Sequence, residues 1–211
     1  MKRRKIGKSR SKRIYGFNST KSEQHFRVES SLEFDACYHL EFHANISLFQ
    51  AQPLGYEYKS FGKTAKYTPD FKAIDSHSGQ ESRLEVKSDK EAESRKFQEI
   101  FEHKKAAAEE LNTPLDLLTE SEIRKEPLLG NLKILYKYRT KSPMDHRHFD
   151  IIDLIGAQGP IQIKVLPQMI GLEKKHCYPL IYDLLARGVL IPTSPLEETA
   201  LNSLSFVRVQ S

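Results

Sequence analysis

The sequence predicts an α/β fold, a mixed β-sheet with helices against it, followed by a smaller domain of short helices and a terminal ribbon. Three observations lead there. Between about 31 and 120 the periodicities run helix, strand, strand, strand, helix, strand, an order that builds a mixed sheet. After Ser142–Pro143 the pattern changes, and Ser-Pro disfavours helix continuation. The 211 residues are 38% hydrophobic and 29% charged, ordinary for a globular chain and enough for two small cores. The divisions expected are a basic arm (1–20), an α/β domain (21–142) and a second domain (143–211).

The net charge of +5 is concentrated at one end. Lys2, Arg3, Arg4, Lys5, Lys8, Arg10, Lys12 and Arg13 carry no acid among them. Such an arm attracts a polyanion with steep salt dependence, or is simply a solvated tail. MKRRKIGKSRSKRIYGF lacks the apolar stretch of a secretion signal, and no run approaches the ~18 apolar residues of a membrane span. A cytoplasmic, nucleoid-associated protein without membrane contact is expected. Cys37 and Cys177 form no CxxC pair and read as small buried apolar residues rather than a zinc site or disulfide.

The first helix is expected from about Ser31 to Leu48, capped by Ser30 or Ser31, with Glu33 and Asp35 favouring its positive end. Strand-like pieces follow: LGYEYKS, AKYTPDFKAID and SRLEVKS, the last two joined by a turn over Ser76–Gln80. A helix is read over Glu91–Leu111, with Phe97, Ile100, Phe101, Lys104, Ala107, Ala108 and Leu111 on one side. LDLLTE reads as a short buried strand, and a helix over about Asn131–Arg139 closes the domain. Beyond Lys141–Asp145, HFDIIDLIGAQG, IQIKVLPQMIG and LEKKHCYPLIYDLLARG read as helix, strand with a helical turn, and longer helix. GVLIP and SLSFVRVQ then alternate as two strands, which is the order of a winged helix-turn-helix domain. Pro179 inside the last helix predicts a late start or a bend.

The chemistry concentrates in Tyr67-Thr68-Pro69-Asp70-Phe71 and Leu84-Glu85-Val86-Lys87. On adjacent strands, Glu85 and Lys87 share a face while Val86 enters the core, and Asp70 can lie beside them. Charges gathered at a sheet edge among apolar neighbours are costly without a compensating role. Two carboxylates there offer oxygen ligands to Mg²⁺ or a substituting Mn²⁺, and the lysine can orient or activate the attacking water. Asp70 and Glu85 are fifteen positions apart, which suits a hairpin. This is the PD-(D/E)xK pattern of restriction-endonuclease-like nucleases, whose mixed-sheet core is the fold expected for the first domain. A helix-borne acid completes the set. Glu41 sits mid-helix; Glu33 competes for that role, but the helix dipole accounts for it better. The catalytic residues expected are Glu41, Asp70, Glu85 and Lys87, and the metal contacts Glu41, Asp70, Glu85 and Val86. In-line attack of water on phosphorus would leave 5′-phosphate and 3′-hydroxyl ends.

SLEFDACYHLEFHANISLFQAQPLGYEY, YTPDF, LEVK, LTESEIR and NLKILYKYR together resemble the TnsA family, endonuclease subunits of heteromeric cut-and-paste transposases, over about Arg27–Arg139. The C-terminal part matches more loosely. The resemblance implies catalytic roles for Glu41, Asp70 and Lys87, with Glu85 at the intervening metal position. It also implies cleavage of the 5′ ends of a transposable element in double-stranded DNA. A DDE-type transposase subunit would act at the 3′ ends, and an AAA+ ATPase would regulate both. CRISPR-guided versions of such systems exist, so the resemblance admits a guided targeting complex as a further partner.

The rivals are a stand-alone restriction or repair nuclease with the same site, and a non-catalytic winged-helix DNA-binding regulator. His39 and His43, spaced i and i+4, could bind zinc but lack a third ligand. His146–His148 read as linker. Lys90, Arg95 and Lys96, and at the second domain Lys174, Lys175 and His176, could touch phosphates or be solvated helix faces.

Overall fold

A computed structural model describes residues 13–210, and the chain divides into two compact units after Arg124. Residues 1–12, most of the expected basic arm, lie outside the described residues.

The described chain opens with a hairpin where continued arm was expected to residue 20. Strands β1 (Tyr15–Ser19) and β2 (Gln24–Val28) pair antiparallel. Alternation puts Phe17, Phe26 and Val28 inward, and all three are buried. The neighbouring basic run hides this period-2 signal in the sequence. Helix α1 (Ser31–Phe42) starts at Ser30, whose hydroxyl accepts from the Glu33 N–H. It stops at Phe42, six residues earlier than expected. Ile46–Ala51 is instead strand β3: after Asn45, the pairing of ISLFQA with a neighbouring strand outweighs continued helical spacing.

The AKYTPDFKAID stretch breaks into two strands because Pro69 has no N–H to donate. Strands β4 (Tyr56–Ser60) and β5 (Lys63–Tyr67) form a two-stranded ribbon. Strand β6 (Phe71–Asp75) joins the main sheet beside β7 (Glu81–Lys87). Helix α2 (Asp89–Ala92) is short, and Ser94 caps a new helix, α3 (Arg95–Glu110), where one continuous helix was expected. Strand β8 (Leu115–Thr119) runs parallel to β7, and helix α4 (Glu120–Ile123) follows it. The sheet order is β3-β6-β7-β8, with one parallel pair and two antiparallel pairs. It is a mixed sheet, as the sequence predicts.

Among the described residues, two apolar clusters bear on the site. Phe17, Phe26, Phe49 and Phe71 form a chain of ring contacts, 5.0 Å for Phe26–Phe49 and 6.4 Å for Phe49–Phe71. Burying each ring contributes about 1.5–3 kcal/mol, and this chain locks Phe71, the neighbour of Asp70. The second cluster places Tyr56 and Tyr67 of the ribbon on Phe101, Ala108 and Leu115, so one ribbon face lies on α3. Gly55 permits this: a Cβ there would come within 2.3 Å of the Tyr67 carbonyl oxygen.

The second unit contains helix α5 (Leu128–Tyr138), α6 (His146–Gln158), strand β9 (Ile161–Gln162), α7 (Leu166–Ile170), α8 (Lys174–Ala186), β10 (Leu190–Pro192) and β11 (Phe206–Val209). Helix α5, expected to close the first domain, belongs here. Tyr138 stacks on Tyr182 at 5.0 Å, and the Asn131 amide donates to the Leu196 and Thr199 carbonyls. The strands form one antiparallel sheet, β10-β11-β9. Helix α8 runs through Pro179 from Lys174 rather than starting late. His148 is no linker residue: it is buried between Asp145 and Asp183. Among the described residues, no helix is long and apolar enough to cross a membrane.

Candidate active site

Asp70 stands where the ribbon hands over to the sheet. Its N–H donates to the Leu84 carbonyl at 3.0 Å, its own carbonyl accepts from Gln52, and its Oδ2 accepts from the Val86 N–H at 2.8 Å. Pro69 before it and buried Phe71 after it leave the side chain little freedom. One carboxylate oxygen is thus tied to β7, the strand that carries the other site residues.

On β7, Leu84, Glu85 and Val86 are all buried. Glu85 and Lys87 project together, with Lys87 Nζ 3.1 Å from Glu85 Oε1. Two further groups converge on Glu85. The Tyr67 hydroxyl donates to Oε2, and Lys104 Nζ of α3 lies 3.4 Å from Oε1 and 3.8 Å from the centre of the Tyr67 ring. The sequence places Lys104 on an apolar helix side, and it does pack there, its stem among aromatics and its ammonium on a buried carboxylate. The ammonium thus combines a buried ion pair with a cation–π contact, and a lone lysine in an apolar stripe is the signal that could have exposed it.

The electrostatics report crowded negative charge. Burial, then the charges of Glu85 and Glu33, push the Asp70 carboxyl up to about 7, against the opposing pull of the Val86 N–H and Lys87. Burial and the nearby Glu85 push the Tyr67 hydroxyl well up, so it stays a donor. For Lys87, burial pulls down, but Glu85 and Asp70 outweigh it and the net shift is upward, so it is an ammonium at neutral pH. For Lys104, burial prevails over Glu85 and the shift is downward.

The helix-borne acid expected from the sequence, Glu41, is engaged by the end of β1 and the segment after it. Glu41 is buried, but its carboxylate accepts from Ser19 Oγ (2.6 Å), the Thr20 N–H (2.9 Å), Thr20 Oγ1 (2.6 Å) and the Lys21 N–H (3.1 Å). It therefore fastens the β1–β2 turn to α1. Glu33, two helical turns earlier, is the α1 acid whose charge bears on Asp70, although it also accepts from Ser30 Oγ and the Glu29 N–H. Its capping role is evident from the sequence; its second neighbour is a product of the fold. His39 contacts the Ile123 carbonyl while His43 accepts from the Asn45 N–H, so the two do not share a site. Lys90, Arg95 and Lys96 are exposed, with Arg95 paired to Glu99, and Lys174, Lys175 and His176 are exposed at the start of α8.

No three His, Cys, Asp or Glu side chains converge as a cation cage among the described residues. Asp70 and Glu85 still suit a hard divalent ion, since Mg²⁺ is commonly held by one or two carboxylates with water and phosphate completing its shell. The raised Asp70 carboxyl points the same way: a cation beside it would relieve the repulsion that burial intensifies.

No curated protein matches the chain. A family model described as TnsA-like endonuclease N terminal matches residues 43–120. That span contains Tyr67, Asp70, Glu85, Lys87 and Lys104, and begins after both glutamates of α1. Over residues 43–120, the chain is similar to the TnsA-like endonuclease family.

Proposed function

We propose that the chain is a Mg²⁺-dependent DNA endonuclease that cuts the 5′ ends of a transposable element as the TnsA-like subunit of a heteromeric transposase. The family match supports a nuclease role in transposition. The observation that carries the chemistry is the Asp70 carboxyl, held up to about 7 beside buried Glu85 and next to the Lys87 ammonium. Asp70 and Glu85, with the neighbouring Val86 main chain, would hold the ion, and Glu33 replaces Glu41 as the α1 contributor.

A divalent ion there supplies Lewis-acid stabilisation of charge on the attacking and leaving oxygens. The residues do the rest. Lys87, protonated in the resting site, donates from Nζ to the attacking water or the scissile phosphate rather than serving as the base. Tyr67 and Lys104 hold the Glu85 carboxylate in one orientation. Water attacks phosphorus in line and gives up its proton to solvent, the bond to the 3′ oxygen breaks, and that oxygen takes a proton from solvent, so 5′-phosphate and 3′-hydroxyl ends remain.

The second unit supports a winged helix-turn-helix reading, with helix, strand, helices and a closing two-strand ribbon in that order. On that reading the nuclease domain lies within the first unit, which ends at Arg124, and the winged helix within the second, Lys125–Ser211. A DDE-type transposase and an AAA+ ATPase are the partners proposed, in the bacterial cytoplasm at the nucleoid. The test is cleavage of transposon-end DNA with and without the transposase subunit. Mg²⁺ and the partner together should give cuts at the 5′ ends, and Asp70→Ala should abolish them while binding persists. Robust cleavage in EDTA would overturn the metal chemistry, and full cleavage without a partner would favour a stand-alone nuclease.

A further inference from the structure

The β4–β5 ribbon has an outward side that the active site does not use. Ser60 pairs with Lys63, so the connection is the two-residue loop Phe61-Gly62. Both residues have positive φ, +49° and +74°, the geometry of a type I′ turn, which favours Asn, Asp or Gly at its first position. An aromatic there sits in the left-handed region that side chains other than Asn, Asp and Gly rarely occupy. Phe61 is also 72% exposed, with an edge contact to His103 at 5.6 Å. Folding alone gives no reason to place a strained aromatic in water, whereas functional sites retain such residues.

The charge on the same ribbon is one-sided. Lys59, Lys63 and Lys66 are exposed, and none is in an ion pair within 4.0 Å among the described residues. The ribbon's one acid, Glu57, lies across from Lys66. The inner face, Tyr56 and Tyr67, is fixed on Phe101, and Tyr67 reaches Glu85. One end of the ribbon is therefore part of the active-site wall. The other end, about 15 Å away from five residues at about 3.3 Å each, presents an exposed aromatic flanked by Lys59 and Lys63, while Lys66 stands beside Tyr67 at the active-site end.

We propose that the β4–β5 ribbon is a duplex-DNA clamp: Lys59, Lys63 and Lys66 lie along phosphates, and Phe61 enters a groove about four to five base pairs from the scissile bond. A two-stranded ribbon has the width to lie in a DNA groove. Lysines without internal partners match a polyanion, and an apolar wedge at a kinked step accounts for the turn strain. The clamp rests on the endonuclease reading, because it gives the active site its substrate.

The experiment uses the full chain in Ca²⁺ with a fluorescent duplex of about 30 base pairs, measuring Kd by anisotropy across salt concentrations. For K59A/K63A/K66A the slope of log K against log salt should fall by about 2.7, at about 0.9 per lost phosphate contact. Phe61→Gly should bind about tenfold more weakly with an unchanged slope. Its melting temperature should be equal or higher, because glycine relieves the turn. Unchanged Kd and slope in both variants would overturn the clamp while leaving the nuclease reading intact. If those variants instead lose a transposase partner in pull-down, the ribbon is a protein interface and the clamp is wrong. Failure of the wild-type chain to bind any duplex would sink the DNA reading first, and the clamp with it.

Discussion

Replacing Asp70 with asparagine should make the metal-free protein more stable at neutral pH, even as it destroys the proposed chemistry. The Asp70 carboxyl moves from 3.8 to about 7 on folding, so the native state binds its proton more tightly than the unfolded chain. Stability from this group is therefore greatest below pH 4 and falls as pH rises towards 7. A shift of about 3 pH units corresponds to about 4 kcal/mol if Asp70 bore it alone. Glu85 shares the repulsion and Asp70 is partly exposed, so about 2 kcal/mol is the working figure. Asp70→Asn keeps an oxygen to accept from the Val86 N–H while removing the charge. Denaturant unfolding of both proteins should coincide near pH 4 and differ by about 2 kcal/mol at pH 8, with the variant more stable. Mg²⁺ should reverse the order, since an ion at a hundred times its Kd adds about 2.7 kcal/mol to the protein that binds it. Identical curves from pH 4 to pH 8 without metal would refute the claim that burial and neighbouring acids load Asp70 with excess negative potential.

The other predictions separate structure from chemistry. Glu41→Gln should cost about 2–3 kcal/mol in urea unfolding through the lost β1–β2 turn bonds, yet leave cleavage by the folded fraction near normal. A fully stable but inactive variant would return Glu41 to the active site. Glu33→Gln should show the opposite balance, a larger loss of cleavage rate than of stability, read from single-turnover kinetics. Phe71→Ala should cost about 3–5 kcal/mol by removing the ring that anchors the Asp70 segment, measured by thermal melts. Ca²⁺ in place of Mg²⁺ should allow the transposon-end complex to assemble without cutting, and cutting in Ca²⁺ would contradict the proposed ion role.

Some of this protein is legible in one dimension because the determining forces are local. Glu85 and Lys87 share a face because strand side chains alternate, and Pro69 interrupts a strand because it has no N–H. Ser30 caps α1 because its hydroxyl meets the Glu33 N–H. The α/β class and the mixed sheet follow from such signals in sequence. Other features depend on which element lies beside which. The helical spacing that carried the first helix to Leu48 lost to strand pairing at Ile46–Ala51. Glu33 and Glu41 stand on one helix face, and only packing sends Glu41 to the β1–β2 turn and the charge of Glu33 towards Asp70. Lys104 is indistinguishable by spacing from the apolar residues around it until α3 crosses the ribbon and brings its ammonium to Glu85. Periodicity determined what each residue could face; burial and charge between distant segments decided what it meets, because electrostatic and packing energies depend on distance in space and not along the chain.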